Sequence, residues 1–458
     1  MAAVRRTALL NIVGLTPRLL GEHTPYLTDF ARRRGLRTIE PILPAVTCTA
    51  QATYLTGQPP SVHGIVANGW YDRQFAEHRF WKQSNRIVEA PKLWESARQQ
   101  RPDFACAQLF WWFNMYSSVN YSVTPRPLYF ADGKKVFDIH TQPMALRESL
   151  KTELGPFPFR YFWGPASGLP SSEWIAACAR WIEQKRSPHL SLVYLPHLDY
   201  NLQRLGPNHP DLAQDLRAID TVVNELVAFL ETRGVTVGFI SEYGITPVDT
   251  PVHLNRLFLR ERWLSLKDEG GTETLDLGSC RAFAIADHQV AHIYVSEESL
   301  RPKVIALLEK TEGVGQVLHG DSLAAAELNH PRAGDIVAIA APNAWFTYYY
   351  WEDDTKAPDF ARCVDIHRKP GFDPVELFID PDLRFPKLHL ARRLLQKKLG
   401  FRMLMDVIPL RAELVKGSHG HRPDDPQDWP ILAGDFDFPG TSSIAATDVH
   451  AQLLSWCL

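Results

Sequence analysis

The residues best suited to chemistry lie between Pro44 and Asn68, where Thr47 stands at the passage from an extended run into a short helical one ending Thr56-Gly57. A hydroxyl there sits beside the unpaired N–H groups of a helix start, which together favour an anion. Threonine is a weak nucleophile until a metal, a base or a dense set of donors stabilises its alkoxide, so Thr47 needs partners from elsewhere in the chain. The same residue type also caps helices without doing any chemistry. Further polar side chains follow apolar runs, at the edge where open α/β sheets gather their sites: Asp199 and Gln203 after His189–Leu195, Glu242 and Tyr243 after Val235–Ile240. His419 stands in a late Gly-Ser-His-Gly turn.

The elements that must position these groups alternate strand and helix. Thr7–Val13 is a compact apolar run ended by Gly14, the pattern of a buried strand in a parallel sheet. Thr24-Pro25 opens a helix that Gly35 closes. Leu212, Leu216, Ile219, Val223, Leu226 and Leu230 mark the core stripe of a long helix ending at Arg233-Gly234. Ala282–Val295 reads as strands around Asp287-His288, Ser296–Gly313 as helical and Ile336–Ala341 as another buried strand. Periodicity weakens over residues 69–170, where aromatic residues crowd, and again over 340–387, a stretch rich in Gly, Pro and aromatics. The expected fold class is α/β, a mostly parallel sheet with helices on both faces. One elaborated domain spans 1–458, with 69–170 as an aromatic-rich inserted cap and 340–387 as a second irregular insertion. Within the cap, Asn114 and Tyr116 are the polar residues expected to meet substrate.

Bulk properties narrow the function classes. The chain has 458 residues, 45% of them hydrophobic, enough for a large core, and a net charge of -3 that gives no reason to expect nucleic-acid or anionic-membrane binding. Six scattered cysteines without a CxxC pair suggest thiols in a reducing compartment, with Cys48 notable for its place beside Thr47. After Met1–Arg6 only a brief apolar run follows, too short for a membrane span and without a signal-peptide cleavage pattern. A cytoplasmic location is expected, with no membrane or nucleic-acid partner; oligomeric state is left open.

Spacing supplies a family resemblance. Thr56-Gly57, Pro60, His63-Gly64-Ile65 and Asn68, twenty-one residues after Thr47, fall in the register of the nucleophile region of the alkaline phosphatase superfamily, most closely its nucleotide pyrophosphatase/phosphodiesterase branch. The resemblance implies that Thr47 accepts a phosphoryl group, that the Asn68 amide binds a phosphoryl oxygen and that His63 shapes the turn. It also implies two metals, and here the chain departs from the pattern. Val13 stands where an Asp ligand belongs, Gln203 and Tyr243 where His ligands belong, and Glu242 where an Asp belongs, while Asp199 and His419 are kept.

The expectation is therefore a remodelled site with at most one divalent cation (Zn, Mn or Mg), held by Asp199, His419 and Glu242, with Gln203 and Tyr243 turned toward substrate. Three functions remain open. The chain is a hydrolase of a phosphodiester, pyrophosphate or phosphate monoester, a catalytically reduced protein that binds a phosphorylated small molecule, or a metal-independent transferase.

Overall fold

Runs that are apolar on both faces form the middle of a sheet, because only a sheet covered on each side buries every second residue in both directions. A computed structural model describes residues 5–438, 440 and 442–458, so the first four residues of the N-terminal stretch Met1–Arg6 lie outside the described residues. The principal strands are β1 (Arg6–Ile12), β2 (Leu36–Glu40), β3 (Cys106–Leu109), β4 (Tyr121–Pro125), β5 (Ile139–Gln142), β6 (Leu190–Leu195), β7 (Val235–Ile240), β8 (Ala282–Asp287), β9 (Val290–Val295), β10 (Val314–His319), β11 (Ile336–Ala340), β12 (Ile431–Ala433) and β13 (Ser443–Ala445). A nine-stranded sheet runs in the order β13-β2-β12-β7-β1-β6-β3-β4-β5. β1 lies between β6 and β7, both parallel to it, with Leu10 opposite Val193 and Phe239. Strand β12 runs antiparallel to β7 and β2, and β5 antiparallel to β4. Every residue of β6 is buried, as is every residue of β1 after Arg6. Truncating one such side chain, Leu192→Ala for instance, leaves a cavity costing about 2–5 kcal/mol.

The helices that matter for the site are α1 (Pro25–Arg34), α2 (Thr47–Thr56), α3 (Leu169–Arg186), α4 (His197–Leu205) and α5 (Leu212–Thr232). α3 and α5 pack on the sheet and on each other, while the terminal helix Val449–Cys457 packs against β1 and α2. The stripe expected on α5 is buried throughout, and one polar residue, Asp220, is buried with it. Its carboxylate accepts the N–H groups of Leu27 and Tyr26 at 2.8 and 3.1 Å, capping α1 from a neighbouring helix where Thr24 makes no capping bond. The predicted helix over 296–313 shortens to Arg301–Leu308, preceded by a 3₁₀ turn.

A second, four-stranded sheet runs β8-β9-β11-β10 with every pair antiparallel. The turn joining β8 to β9 holds His288 at a φ of 59°, a left-handed conformation uncommon for a residue with a Cβ.

One organisational expectation is corrected. Residues 69–170 are not a cap standing outside the core, since β3, β4 and β5 extend the nine-stranded sheet. These strands have only four or five residues each, too few for periodicity to declare them. Residues 340–387 are largely irregular, but Ala344–Phe346 pairs with Thr250–Val252 and Gly371 bridges to Ala286. No helix among the described residues is long and apolar enough to cross a membrane.

Candidate active site

The C-terminal ends of β1, β6 and β7 open at one edge of the sheet, and α2 points its first turn there. Val46 is the extended residue before the helix and makes no side-chain cap; Thr47 is the first helical residue and points its hydroxyl elsewhere. Gly57, at a φ of 67°, ends the helix in a conformation a Cβ would strain.

The Thr47 hydroxyl lies 3.1 Å from the Tyr243 hydroxyl, which in turn lies 3.1 Å from Asp199 Oδ1. Gln203, one turn along α4, donates its Nε2 to Asp199 Oδ2 at 2.8 Å. A carboxylate only accepts, so Tyr243 donates its proton to Asp199 and its oxygen receives the proton of Thr47. The lone pairs of the threonine oxygen are thereby left for the cavity, which Thr47, Tyr243, Asp199 and Gln203 all line. Burial raises the Asp199 carboxyl to about 6, against the pull of the hydrogen bonds from Tyr243 and Gln203. Burial, with the charges of Asp199 and Glu242, pushes the Tyr243 phenol well above its ordinary range.

Three rings continue the wall. Tyr243 stacks on His419 at 3.6 Å and 5°, His419 meets His288 at 3.8 Å, and His288 stacks on Phe372 at 4.0 Å. His419 Nδ1 lies 2.8 Å from the Ala45 carbonyl and His288 Nδ1 lies 2.8 Å from Asp287 Oδ1, so each ring carries its proton on Nδ1. Burial pushes both imidazoles down, His288 to about 3, and both stand neutral.

Asn68 is brought to Thr47, but not as a free donor. Its Oδ1 accepts the Cys48 N–H at 2.9 Å and its Nδ2 donates to Asp287 Oδ1 at 3.1 Å, so the side chain ties the start of α2 to the end of β8. It is 2% exposed and does not line the cavity. Burial raises the Asp287 carboxyl to about 6 despite the two hydrogen bonds from Asn68. Cys48 is buried, and burial with the nearby carboxylates pushes its thiol well up, so it is no nucleophile. His63 bridges Thr53 and the Ile65 N–H, and His292 bridges the Val66 carbonyl and the Gly334 N–H; both are structural.

Several expected roles are corrected. Glu242 does not reach the cavity: its Oε1 accepts the amides of Asn11 and Gln51, and burial raises its carboxyl to about 8. Asn114 is fully buried, with its Nδ2 on the carbonyls of Gln108 and Val123, and Tyr116 is 59% exposed; neither lines the cavity. Aromatic density alone could not separate these two from Trp81 and Trp112, which do line it. Trp163, Phe372, Asp373 and Glu376 also line the wall. Sequence reasoning missed Trp163, Phe372 and Glu376; Asp373 lies in the irregular stretch 340–387. Its carboxylate, like that of Glu376, pairs with buried Lys369 at 2.6 and 2.7 Å.

The metal donors expected from the sequence do not assemble. Tyr243 occupies one oxygen of Asp199 and covers a face of His419, Gln203 occupies the other oxygen, and Glu242 is held away by its two amides. Val13 is buried in the core, and among the described residues no group of three or more His, Cys, Asp or Glu is placed to hold a metal. The donor set does not fit the two-metal centre that the sequence resemblance implies, nor the single site of Asp199, His419 and Glu242.

Residues 7–373 match the type I phosphodiesterase / nucleotide pyrophosphatase family, and the chain belongs to that family. An uncharacterised pyrophosphatase/phosphodiesterase of Schizosaccharomyces pombe is 26% identical over 283 residues, 60% of this chain and 50% of the relative. Ectonucleotide pyrophosphatase/phosphodiesterase 1 of Saccharomyces cerevisiae is 24% identical over 278 residues, 54% of this chain and 34% of the relative. The matched regions thus span half or less of these curated relatives. Among solved structures, phosphonoacetate hydrolase of Sinorhizobium meliloti superposes with a TM-score of 0.62 at 14% identity, covering 99% of this chain and 96% of the other. Murine ectonucleotide pyrophosphatase/phosphodiesterase 5 does so with a TM-score of 0.59 at 14% identity, covering 99% and 95%. At that identity the two structures speak for the fold alone, the mostly parallel sheet flanked by helices.

Proposed function

We propose that this chain hydrolyses a phosphate ester, with Thr47 as the group that takes the phosphoryl. The observation that carries the proposal is the line of hydroxyl, phenol and carboxylate from Thr47 through Tyr243 to Asp199, set beside a cavity at the sheet's edge. As the Thr47 oxygen bonds to phosphorus, its proton passes to Tyr243 and the Tyr243 proton passes to Asp199. The ester oxygen leaves with its electron pair, and water later cleaves the phosphothreonine by the reverse proton path. Positioned proton transfer of this kind contributes about 10²–10⁴-fold in rate. No step is routed through a metal, because the donor set does not fit one.

Release of 4-nitrophenol from 4-nitrophenyl phosphate and bis(4-nitrophenyl) phosphate, with and without a chelator, is the test. Turnover that resists the chelator and disappears in Thr47→Ala is expected. Turnover untouched by Thr47→Ala, or restored only by added Zn²⁺ or Mn²⁺, overturns the proposal. A second reading, binding of a phosphorylated small molecule without turnover, draws support from Val13, Gln203 and Tyr243 in ligand positions. It predicts binding with no product in any condition.

A further inference from the structure

The charge balance of the cavity is the reverse of what an anion alone would require. None of its lining residues is Lys or Arg, whereas Asp199, Asp373 and Glu376 place three carboxylates on its walls. Two cations lie behind those walls and are engaged there. Lys369 pairs with Asp373 and Glu376, and Arg204 donates to the carbonyls of Pro165, Ser167 and Leu377.

Two of the unpaired polar atoms on the lining have the same character, while a third, Ser167 Oγ, can donate or accept. Gln203 Oε1 and His288 Nε2 are buried and have no hydrogen-bond partner. Both are acceptors, since Gln203 uses its Nε2 on Asp199 and His288 uses its Nδ1 on Asp287. Buried acceptors without donors call for a ligand that brings positive charge or hydrogen.

The apolar part of the wall has the matching shape. Trp81 lies 5.0 Å from Trp163 at 78° and 5.6 Å from Phe372 at 70°, and Trp163 lies 6.4 Å from Phe372 at 71°. Three rings inclined at 70–78° to one another form a corner able to present π-electron density to a rounded group, the arrangement that attracts organic cations. Trp163 is fixed in the corner by donating its Nε1 to Glu376 at 2.8 Å.

We propose that this corner binds a small alkylammonium group, so that the ester taken at Thr47 is zwitterionic, with its positive charge on the organic part. The ester half of this statement rests on the hydrolase reading above; the cation half does not. An ammonium group held against the three rings supplies the charge that the walls lack and lies within the same cavity as the Thr47 oxygen.

Calorimetric titration with tetramethylammonium chloride, against neopentyl alcohol as its uncharged counterpart and sodium chloride as the ionic-strength control, tests the cation site. Saturable binding of tetramethylammonium about tenfold or more tighter than neopentyl alcohol is expected in the native chain and in Thr47→Ala. It weakens in Trp163→Leu and survives in Trp163→Phe, which keeps an aromatic face. Equal binding of the uncharged compound, indifference to Trp163→Leu, or displacement of tetramethylammonium by one equivalent of Zn²⁺ or Mn²⁺ overturns the proposal. In the kinetic arm, the 4-nitrophenyl ester of 2-(trimethylammonio)ethyl phosphate is hydrolysed about tenfold or more faster, in kcat/KM, than the uncharged 3,3-dimethylbutyl ester. Equal rates count against the cation site. Selective tetramethylammonium binding with no turnover of either ester sinks the hydrolase reading and leaves the cation site standing.

Discussion

Lys369→Met tests the cavity wall through its foundation. Lys369 is 1% exposed, and its ammonium bonds Asp373 at 2.6 Å and Glu376 at 2.7 Å, both carboxylates being similarly buried. The substitution keeps most of the aliphatic stem and removes the one charge that offsets two. What remains to the carboxylates is the Val375 N–H on Asp373, and the Asp365 N–H and Trp163 indole on Glu376. Breaking a buried pair from one side costs about 3–5 kcal/mol, because the charge left behind has neither water nor partner. The pH dependence has a definite sign. Burial raises the Glu376 carboxyl above its unfolded value, and loss of Lys369 raises it further. The native state therefore holds that proton more tightly than the unfolded state does, so the penalty is absent below the unfolded carboxyl range and complete above the folded one. Urea midpoints followed by tryptophan fluorescence should show the deficit growing from acid toward neutral pH. The triple variant Lys369→Met, Asp373→Asn, Glu376→Gln should recover most of it. A deficit under about 1 kcal/mol, the size of an exposed ion pair, and constant with pH would refute this account of the wall.

Other expectations follow from the same geometry. Tyr243→Phe removes the hydroxyl between Thr47 and Asp199 and should lower kcat by about 10²-fold or more with little change in KM, measured on 4-nitrophenyl phosphate. An unchanged kcat would remove Tyr243 from the proton path. Asp287, raised from 3.8 to about 6 by burial, should cost the fold about 3 kcal/mol as pH rises through 4 to 6, since charging it in the native state is opposed. The stability of the native chain relative to Asp287→Asn should fall over that window, and a flat difference would count against the assignment. Asp220→Ala should cost about 1–2 kcal/mol by leaving two N–H groups of α1 uncapped, read from the urea midpoint. Gly244→Ala should destabilise markedly, because a Cβ there would stand 1.9 Å from the Asp428 carbonyl oxygen; a melting temperature equal to that of the native chain would contradict it.

Long or fully buried elements were legible in the sequence. The run Val235–Ile240 is a strand over those same residues, Thr7–Val13 is displaced by one residue at each end, and the α5 stripe is buried at all six named positions. Local geometry around Thr47 was legible too, because turn residues such as Gly57 and Gly64 declare themselves by spacing. What the sequence concealed are contacts between side chains far apart in the chain. Glu242 is a carboxylate in a ligand position, yet Asn11 and Gln51 decide its environment, and neither carries a recognisable signal. Tyr243 reads as the loss of an imidazole; only the structure places its hydroxyl between Thr47 and Asp199. Strands β3, β12 and β13, three or four residues long, are strands because the sheet offers them partners, and their own sequences are too short to show it.

An acid quench during turnover followed by peptide mass spectrometry tests the role of the Thr47 oxygen directly. The predicted result is one phosphoryl group on the peptide that contains Thr47, localised to that residue, lost in Thr47→Ala and formed more slowly in Tyr243→Phe, where the proton path from Thr47 to Asp199 is interrupted. Steady product release with that peptide unmodified at every time point would contradict it.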